Sequence, residues 1–166
     1  MELNKSAFSP DGLLIRQEET GKVPFGTLTS DRNGCGWIAA YNFLRADLHP
    51  VKWDQVRRDL NHLLPFRGKI GANAFVLQGY LLRQGCRLHT AVTLAGAKRL
   101  IPRCRAGIIL FETGTSRHYA AFQRQKDGRL RFFNTRPDAA DVVMSLEEFC
   151  RRFVRFPLFY LFTTDT

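Results

Sequence analysis

The sequence predicts an α+β fold in which helices come first along the chain and an antiparallel sheet follows. Apolar residues recur at three- to four-residue spacing in the first half, as expected for helices that bury one face. Beyond residue 105 they form short runs separated by turns, which is the pattern of strands joined by hairpins. Runs of helices followed by runs of strands are typical of α+β proteins.

The first half contains the predicted helices after a loosely structured start. Residues 1–27 show little periodicity, and Gly21, Pro24 and Gly26 interrupt what there is. A loop runs to Asn33, and the first helix begins around Cys35. Proline and glycine end the helices, because proline cannot continue a helix and glycine commonly caps one. The later helices are predicted at 51–64, 72–84 and 93–100, with a short strand at 87–92.

The second half alternates short apolar segments with turns. Asp127-Gly128 is a hairpin signal between two of these segments. Ser145 and Glu148 form a capping box, which predicts that a helix begins there. The predicted strands are 106–112, 118–125, 129–134, 142–143 and 156–162. Because no linker, repeat or low-complexity segment interrupts the chain, we expect one domain over residues 1–166.

Composition limits the classes of function. The net charge is +10, with basic clusters that could attract an acidic peptide, a membrane surface or nucleic acid, or simply be solvated. No nucleic-acid-binding motif accompanies the charge, so nucleic acid is not the expected partner. No apolar run is long enough to span a membrane, and no signal peptide precedes the domain, which favours a cytoplasmic location.

The four cysteines are widely spaced and suggest no metal site. They are Cys35, Cys86, Cys104 and Cys150, without a CxxC pair or a Cys/His cluster in the sequence. We therefore expect neither a metal nor a cofactor. In a cytoplasmic protein these cysteines are expected to be free thiols.

Cys35 stands apart from the other cysteines, since Gly34 and Gly36 flank it where the loop becomes a helix. Free backbone N–H groups and the positive end of the helix dipole favour a thiolate at such a position. The small neighbours leave the sulfur approachable. Most free cysteines are small core residues, but this environment predicts a nucleophile.

A nucleophilic cysteine needs a base, and the base needs a group that orients it. Among the four histidines, His118 begins a predicted strand directly after a Gly-Thr-Ser turn. Asn134 ends the next strand, which brings it close to His118 across the hairpin. We therefore predict that His118 is the base and that Asn134 fixes its tautomer.

The quoted segments resemble those of papain-like cysteine peptidases, in particular the C39-like type that processes bacteriocin leaders. Asn33-Gly34-Cys35-Gly36-Trp37 with the following helix resembles the nucleophile helix of that family. Arg117 to Phe122 resembles its histidine strand, and Leu130 to Asn134 resembles the strand that carries its Asp or Asn. The resemblance covers roughly residues 28–155 and implies a papain-like fold, with the N-terminal helices packed on an antiparallel sheet.

The resemblance also implies amide cleavage or acyl transfer through a thioester, and one residue departs from the pattern. The family usually has a glutamine six residues before the cysteine that helps to bind the oxyanion, whereas this chain has Thr29. We predict that Asn33 and the Cys35 backbone N–H take this role. Loss of one oxyanion donor typically costs about 100- to 1000-fold in rate. The predicted substrate contacts are Gly34, Trp37 and Arg117.

Three functions remain open at this point. The first is a cysteine peptidase or related thiol hydrolase that acts on a peptide or protein substrate, with the basic surface favouring an acidic one. The second is an amidase or transglutaminase-like acyltransferase with the same triad, because Cys-His-Asn does not choose between water and an amine. The third is an inactive binding module for an acidic partner, which the missing glutamine favours.

Overall fold

The computed structural model describes residues 3–65, 72–114 and 116–165. Within this part of the chain, six strands form one antiparallel sheet in the order β3-β8-β4-β5-β6-β7. The strands are β3 (Leu88–Ala91), β4 (Cys104–Glu112), β5 (Arg117–Arg124), β6 (Leu130–Phe133), β7 (Asp141–Met144) and β8 (Phe156–Asp165). A small hairpin precedes them, made of β1 (Pro24–Phe25) and β2 (Leu28–Thr29).

Helices cover both faces of the sheet. They are α1 (Ser30–Asn33), α2 (Cys35–Ala46), α3 (Trp53–His62), α4 (Ala74–Arg83), α5 (Leu94–Leu100) and α6 (Leu146–Phe153). The predicted α+β class, with N-terminal helices packed on an antiparallel sheet, is confirmed. No helix among the described residues is both long and apolar enough to cross a bilayer.

Helix α2 lies at the centre of one of the two apolar cores. Its residues from Gly36 to Leu44 are all buried, and it packs against β5 and β4. The side chains of Trp37, Phe43 and Leu44 are fully buried. A helix buried on nearly every side needs an almost continuous apolar sequence, and residues 37–44 supply it apart from Asn42.

The central strands divide their side chains between the two cores by strict alternation. On β4, Ile108 and Leu110 belong to the core around α2, while Ile109 and Phe111 belong to the core under α5 and α6. Successive side chains of a strand point to opposite faces, so a strand covered on both faces must be apolar throughout. The uninterrupted run from Ile108 to Phe111 reflects this double burial.

Most predicted elements of the second half are confirmed within one or two residues. The strands predicted at 106–112, 118–125 and 129–134 are β4, β5 and β6. The capping box is confirmed by the Glu148 backbone N–H, which donates to the Ser145 hydroxyl at 3.1 Å. β8 extends to Asp165, three residues beyond the predicted end, and it inserts between β3 and β4.

The N-terminal segment has little regular structure but contributes to the core. We predicted a loose segment over residues 1–27, and in its described part Leu14 and Phe25 are fully buried. Asn42, inside α2, is fully buried as well, and its carboxamide pairs with the Leu14 backbone. The Leu14 N–H donates to Asn42 Oδ1 at 2.8 Å, and Asn42 Nδ2 donates to the Leu14 carbonyl at 2.6 Å. These long-range bonds leave no periodic signal in the sequence.

Candidate active site

Cys35 is the first residue of α2, at the position that the sequence predicted for a nucleophile. Residues 30–33, predicted as a loop, instead form the one-turn helix α1, and the Gly34 N–H donates to the Ser30 carbonyl at 2.8 Å. The Ile38 N–H then donates to the Gly34 carbonyl at 3.0 Å, which is the first full turn of α2. The half-buried thiol therefore lies at the positive end of a twelve-residue helix.

The glycines beside Cys35 are needed because of close packing. A Cβ on Gly36 would lie 2.9 Å from the Cβ of Ala72, and one on Gly34 would lie 2.8 Å from the Trp37 indole nitrogen. Both glycines are buried, and the lack of a side chain leaves room for the atoms packed around them. The sequence predicted that these glycines leave the sulfur approachable; the contacts described for them are instead with the protein interior.

His118 is the second residue of β5, a strand that packs against α2, and its side chain hydrogen-bonds the Cys35 thiol. Its ring packs edge-on against Phe111, with the ring centroids 5.7 Å apart. The Nε2 atom lies 2.5 Å from the backbone carbonyl oxygen of Asn134. A carbonyl oxygen can only accept, so Nε2 carries the hydrogen and Nδ1 is left for the thiol.

Asn134 follows β6 and has a left-handed backbone, with φ of 58°. Asparagine tolerates this conformation better than most residues. Its side chain faces Gln17 instead of the imidazole: Oδ1 accepts the Gln17 backbone N–H at 2.9 Å, and Nδ2 donates to Gln17 Oε1 at 3.3 Å. The ring of His118 is therefore held by the main chain of Asn134, while its side chain secures the N-terminal segment.

The thiol and the imidazole shift each other's pKa in opposite directions. Burial alone would raise the pKa of Cys35, but the hydrogen bond and charge of His118, with the Tyr119 and Gly36 backbones, lower it below the usual value. Burial alone would lower the pKa of His118, but the hydrogen bond and charge of Cys35, with the Asn134 carbonyl, raise it. Both directions favour a thiolate–imidazolium pair.

The other three cysteines have the opposite tendency. Burial raises the pKa of Cys86, Cys104 and Cys150 to about 11 in each case. At neutral pH such thiols are about 10,000-fold more often protonated than ionised. Cys35 is thus distinguished from them by its electrostatic environment as well as by its position.

Cys35 and His118 open into a cavity of about 580 Å³ that carries a strong positive charge. Among the described residues, five arginines line it, against two acidic residues, Glu18 and Asp31. The remaining described lining residues are neutral apart from His118 itself. The arginines are Arg32, Arg117, Arg136, Arg152 and Arg155, and all five are exposed to solvent.

The structure brings some of the sequence-predicted site residues together and leaves others apart. Cys35, His118, Asn134 and Arg117 line the cavity. Asn33, Gly34, Trp37 and Thr29 are not among the described residues that line it. Trp37 is fully buried, and its indole N–H donates to the Ser30 hydroxyl at 3.1 Å, so it belongs to the core.

Gln17 is a cavity residue that the sequence analysis missed. It begins a short 3₁₀ helix, and its Nε2 donates to the backbone carbonyl of Asp31, four residues before Cys35, at 3.1 Å. Both ends of its carboxamide are thus held in place, one by Asp31 and the other by Asn134. No local pattern marks Gln17, because both partners are distant in sequence.

The fold of the chain is that of a C39-type peptidase domain. Among solved structures, it is similar to the crystal structure of the peptidase domain of Streptococcus ComA, a bi-functional ABC transporter involved in a quorum-sensing pathway. The TM-score is 0.57 at 13% sequence identity, and the match covers 81% of this chain and 93% of that domain. At this identity the likeness establishes the fold alone. No protein-family model matches the sequence, and no curated protein matches it significantly.

Proposed function

We propose that the chain is a cysteine peptidase or related thiol hydrolase, with Cys35 as nucleophile and His118 as general acid and base. The observation that carries this proposal is the hydrogen-bonded pair of Cys35 and His118, in which the second ring nitrogen is held by the Asn134 carbonyl. A thiol at a helix start, a base in contact with it and a group that orients the base are the requirements for covalent catalysis. The peptidase-domain fold agrees with this chemistry.

In the proposed reaction His118 Nδ1 takes the Cys35 proton, and the thiolate sulfur attacks the carbonyl carbon of the scissile amide. The C–N bond breaks as His118 delivers the proton to the leaving amine, which leaves a thioester on Cys35. A water molecule, deprotonated by His118, then attacks the thioester carbonyl carbon; the C–S bond breaks, the carboxylic acid leaves, and His118 shares its proton with the freed Cys35 sulfur again. The imidazolium formed in each attack is stabilised by the Asn134 carbonyl, to which Nε2–H donates.

The oxyanion requires at least one donor besides the Cys35 backbone N–H. We predicted Asn33 for this role, but it is not among the described cavity residues, whereas Gln17 is. We therefore propose that Gln17 supplies the second donor. Its removal in Gln17→Ala is expected to lower turnover by about 100-fold or more without changing the reactivity of the Cys35 thiol.

A peptide substrate is supported by polar atoms on the cavity wall. Among the described residues, Asp31 Oδ1 and Thr135 Oγ1 are buried without a hydrogen-bond partner, and both residues line the cavity. Buried polar atoms without partners are uncommon in folded proteins. Both oxygens can accept backbone N–H groups of an extended peptide bound beside Cys35.

An acidic peptide is the substrate class that the five cavity arginines favour. Guanidinium groups bind carboxylates in bidentate geometry, and a cavity lined by one sign of charge also attracts oppositely charged substrates. Peptides that differ only by Asp against Asn near the scissile bond test this. The preference should fall in Arg117→Gln and Arg155→Gln, and should persist in Arg99→Gln, where an exposed arginine outside the cavity is changed.

The first test of the proposal is the rate of iodoacetamide alkylation against pH, with the modified cysteine located by mass spectrometry. In the wild type we expect selective modification of Cys35 with an apparent pKa well below about 8.5. His118→Ala should raise that pKa, while His62→Ala, a change at an exposed histidine on α3, should not. Modification of all four cysteines at similar rates, unaffected by His118→Ala, would contradict the proposal and favour an inactive binding module.

A second measurement separates hydrolysis from acyl transfer. The thioester on Cys35 can be trapped with peptide substrate in the presence of a primary amine and analysed by mass spectrometry. A free acid as the main product supports the hydrolase. An amide formed with the added amine would support the transglutaminase-like alternative. Cys35→Ala should form neither product while remaining folded.

A further inference from the structure

Three metal-ligating side chains meet at the C-terminal end of α2, away from the cavity. His49 Nε2 lies 3.2 Å from Asp47 Oδ2 and 3.9 Å from Cys86 Sγ, and all three donor atoms lie within 4.8 Å of one another. Cys35 begins the same helix, and twelve residues of α-helix span about 18 Å. This cluster is therefore separate from the candidate active site.

The contacts converge on a single ring nitrogen, which distinguishes the cluster from a second catalytic triad. In a triad the acid and the thiol use different nitrogens of the imidazole. Here both Asp47 and Cys86 approach Nε2 of His49. One nitrogen carries one proton at most, so it cannot donate to the carboxylate and accept from the thiol together. A cation at the point shared by the three atoms satisfies all of them.

The separations between donor atoms fit a tetrahedral ion. With metal–ligand distances of about 2.0–2.1 Å to nitrogen, 2.0–2.2 Å to oxygen and 2.3 Å to sulfur, tetrahedral angles place N and O about 3.4 Å apart and N and S about 3.6 Å apart. The corresponding distances here are 3.2 and 3.9 Å. Small rotations of the side chains close the difference.

The local backbone sets two of the donors on the same side. The His49 N–H donates to the Leu44 carbonyl at 2.8 Å and the Leu48 N–H donates to the Arg45 carbonyl at 3.2 Å, which is a Schellman motif. Leu48 occupies the left-handed position with φ of 64°, where glycine is usual, and its side chain is 74% exposed. Asp47 and His49 flank Leu48 in this strained turn, and it brings Asp47 Oδ2 within 3.2 Å of His49 Nε2.

The ligand carboxylate also has a partner that orients it. Thr164 Oγ1 on β8 donates to Asp47 Oδ1 at 2.9 Å, which leaves Oδ2 for His49 or a metal ion. Hydrogen bonds of this kind to the second oxygen of a ligating carboxylate are common in metal sites. Asp47 and Cys86 are largely buried, while the His49 side chain is one-third exposed, so the open side of the cluster faces solvent.

We propose that Asp47, His49 and Cys86 bind a Zn²⁺ ion, with a water molecule as the fourth ligand on the exposed side of His49. Mixed nitrogen, oxygen and sulfur donors suit this borderline-soft ion. The ion would tie the end of α2 to the turn between α4 and β3 and, through Thr164, to β8. We expected no metal because the sequence has no CxxC pair or Cys/His cluster, and Cys86 lies 37 residues from His49.

Binding is coupled to proton release. Zinc binds the thiolate, and the displaced proton passes to solvent. The affinity should therefore rise with pH.

The test uses Zn²⁺ alone, on the full chain with Cys35→Ser so that the active-site thiol cannot bind the metal. Competition with a chromophoric chelator should show one ion per chain. Cys86→Ser and His49→Ala should each weaken binding by more than about 100-fold, and Thr164→Val by roughly 10-fold, as is usual for residues that orient a ligand. Matched controls outside the cluster, Cys150→Ser and His62→Ala, should leave the affinity unchanged.

Two further readouts identify the geometry and the effect on the fold. Co²⁺ in place of Zn²⁺ should give a thiolate charge-transfer band and the intense visible bands of a four-coordinate ion, both lost in Cys86→Ser. Zinc at about 100 times its Kd should raise the Tm by about 5–10 °C in the Cys35→Ser chain and not in His49→Ala. His49 is partly exposed, so its replacement should leave the fold intact.

The assignment would be overturned if zinc still bound to each of the variants Cys86→Ser and His49→Ala. It would also be overturned if the Cys35→Ser chain did not bind zinc stoichiometrically. In either case the three side chains would form only a hydrogen-bonded group. These outcomes do not depend on whether Cys35 is a catalytic residue.

Discussion

Replacing Asn134 by glycine separates the role of its backbone from that of its side chain. The His118 ring is held by the Asn134 carbonyl, which every residue possesses, whereas the side chain makes two hydrogen bonds to Gln17. Glycine adopts the φ of 58° without a steric penalty. Asn134→Gly should therefore retain the contact that orients the imidazole and lose those that hold Gln17.

The expected loss of stability follows from these contacts. Two hydrogen bonds at about 1 kcal/mol each give a loss of about 2 kcal/mol in the free energy of unfolding for Asn134→Gly. Asn134→Ala loses the same bonds and keeps a Cβ in the left-handed region, which makes alanine about 1–2 kcal/mol less favourable there than glycine. For a domain of this size 1 kcal/mol corresponds to about 2–4 °C, so the Tm should fall by about 4–8 °C for glycine and further for alanine.

The pH dependence of Cys35 alkylation, measured beside the Tm, completes the test. In Asn134→Gly the apparent pKa of Cys35 should stay close to the wild-type value, although peptide turnover should fall because Gln17 is no longer held. His118→Ala provides the comparison, since it removes the base altogether. If Asn134→Gly raised the apparent pKa of Cys35 as far as His118→Ala does, the side chain would be the orienting group and our reasoning would be refuted.

Three other predictions concern packing, acid stability and the pH profile. Gly36→Ala should lower the free energy of unfolding by about 1–3 kcal/mol, because the new Cβ would lie 2.9 Å from the Cβ of Ala72. The control is Gly79→Ala, where nothing described lies within 4 Å and no such loss is expected. Thermal unfolding of both variants measures the difference. Arg131 forms ion pairs of 2.6 Å with Asp11 and with Asp141, and the first of these lowers the pKa of Asp11. The stability contributed by the Arg131–Asp11 pair is therefore present above about pH 4 and is lost as the pH falls through the pKa of Asp11 in the folded protein. Arg131→Gln should cost about 1 kcal/mol at neutral pH and flatten this acid limb in urea titrations; equal acid sensitivity of the two proteins would disprove it. The proposed mechanism requires ionised Cys35 and protonated His118, so kcat/KM should fall on the acid side as Cys35 takes up a proton and on the alkaline side as His118 loses one. A single sigmoid rising to high pH would contradict a thiolate–imidazolium pair.

The parts of the fold that the sequence predicted are those specified by local chemistry. Asp127-Gly128 indicates a hairpin by its turn preference, and it placed His118 on one strand and Asn134 at the end of the next, where both line the cavity. Ser145 and Glu148 indicate a helix start by their capping bonds. The glycines around Cys35 marked the start of α2 because glycine interrupts helices, although they also suggested a loop where α1 forms.

The parts that the sequence did not predict depend on contacts between distant residues. Gln17 enters the cavity through bonds to Asn134 and Asp31, neither of which has a sequence signature. The backbone carbonyl of Asn134, and not its side chain, contacts the His118 ring. Every residue has a backbone carbonyl, so the residue type at position 134 could not predict this contact. Asn33 was chosen for its proximity to Cys35 in sequence, but side chains two residues apart on a helical turn face different directions.

The pairing of Asn42 with the Leu14 backbone determines where the chain can be shortened. A truncation that begins at residue 28, as secondary structure alone would suggest, leaves the buried Asn42 carboxamide with neither its donor nor its acceptor partner. Each orphaned group costs about 1–3 kcal/mol, which is a large share of the stability of an ordinary domain. The smallest fragment able to fold on its own therefore includes the N-terminal segment, and proteases should cut there only after the whole domain has opened.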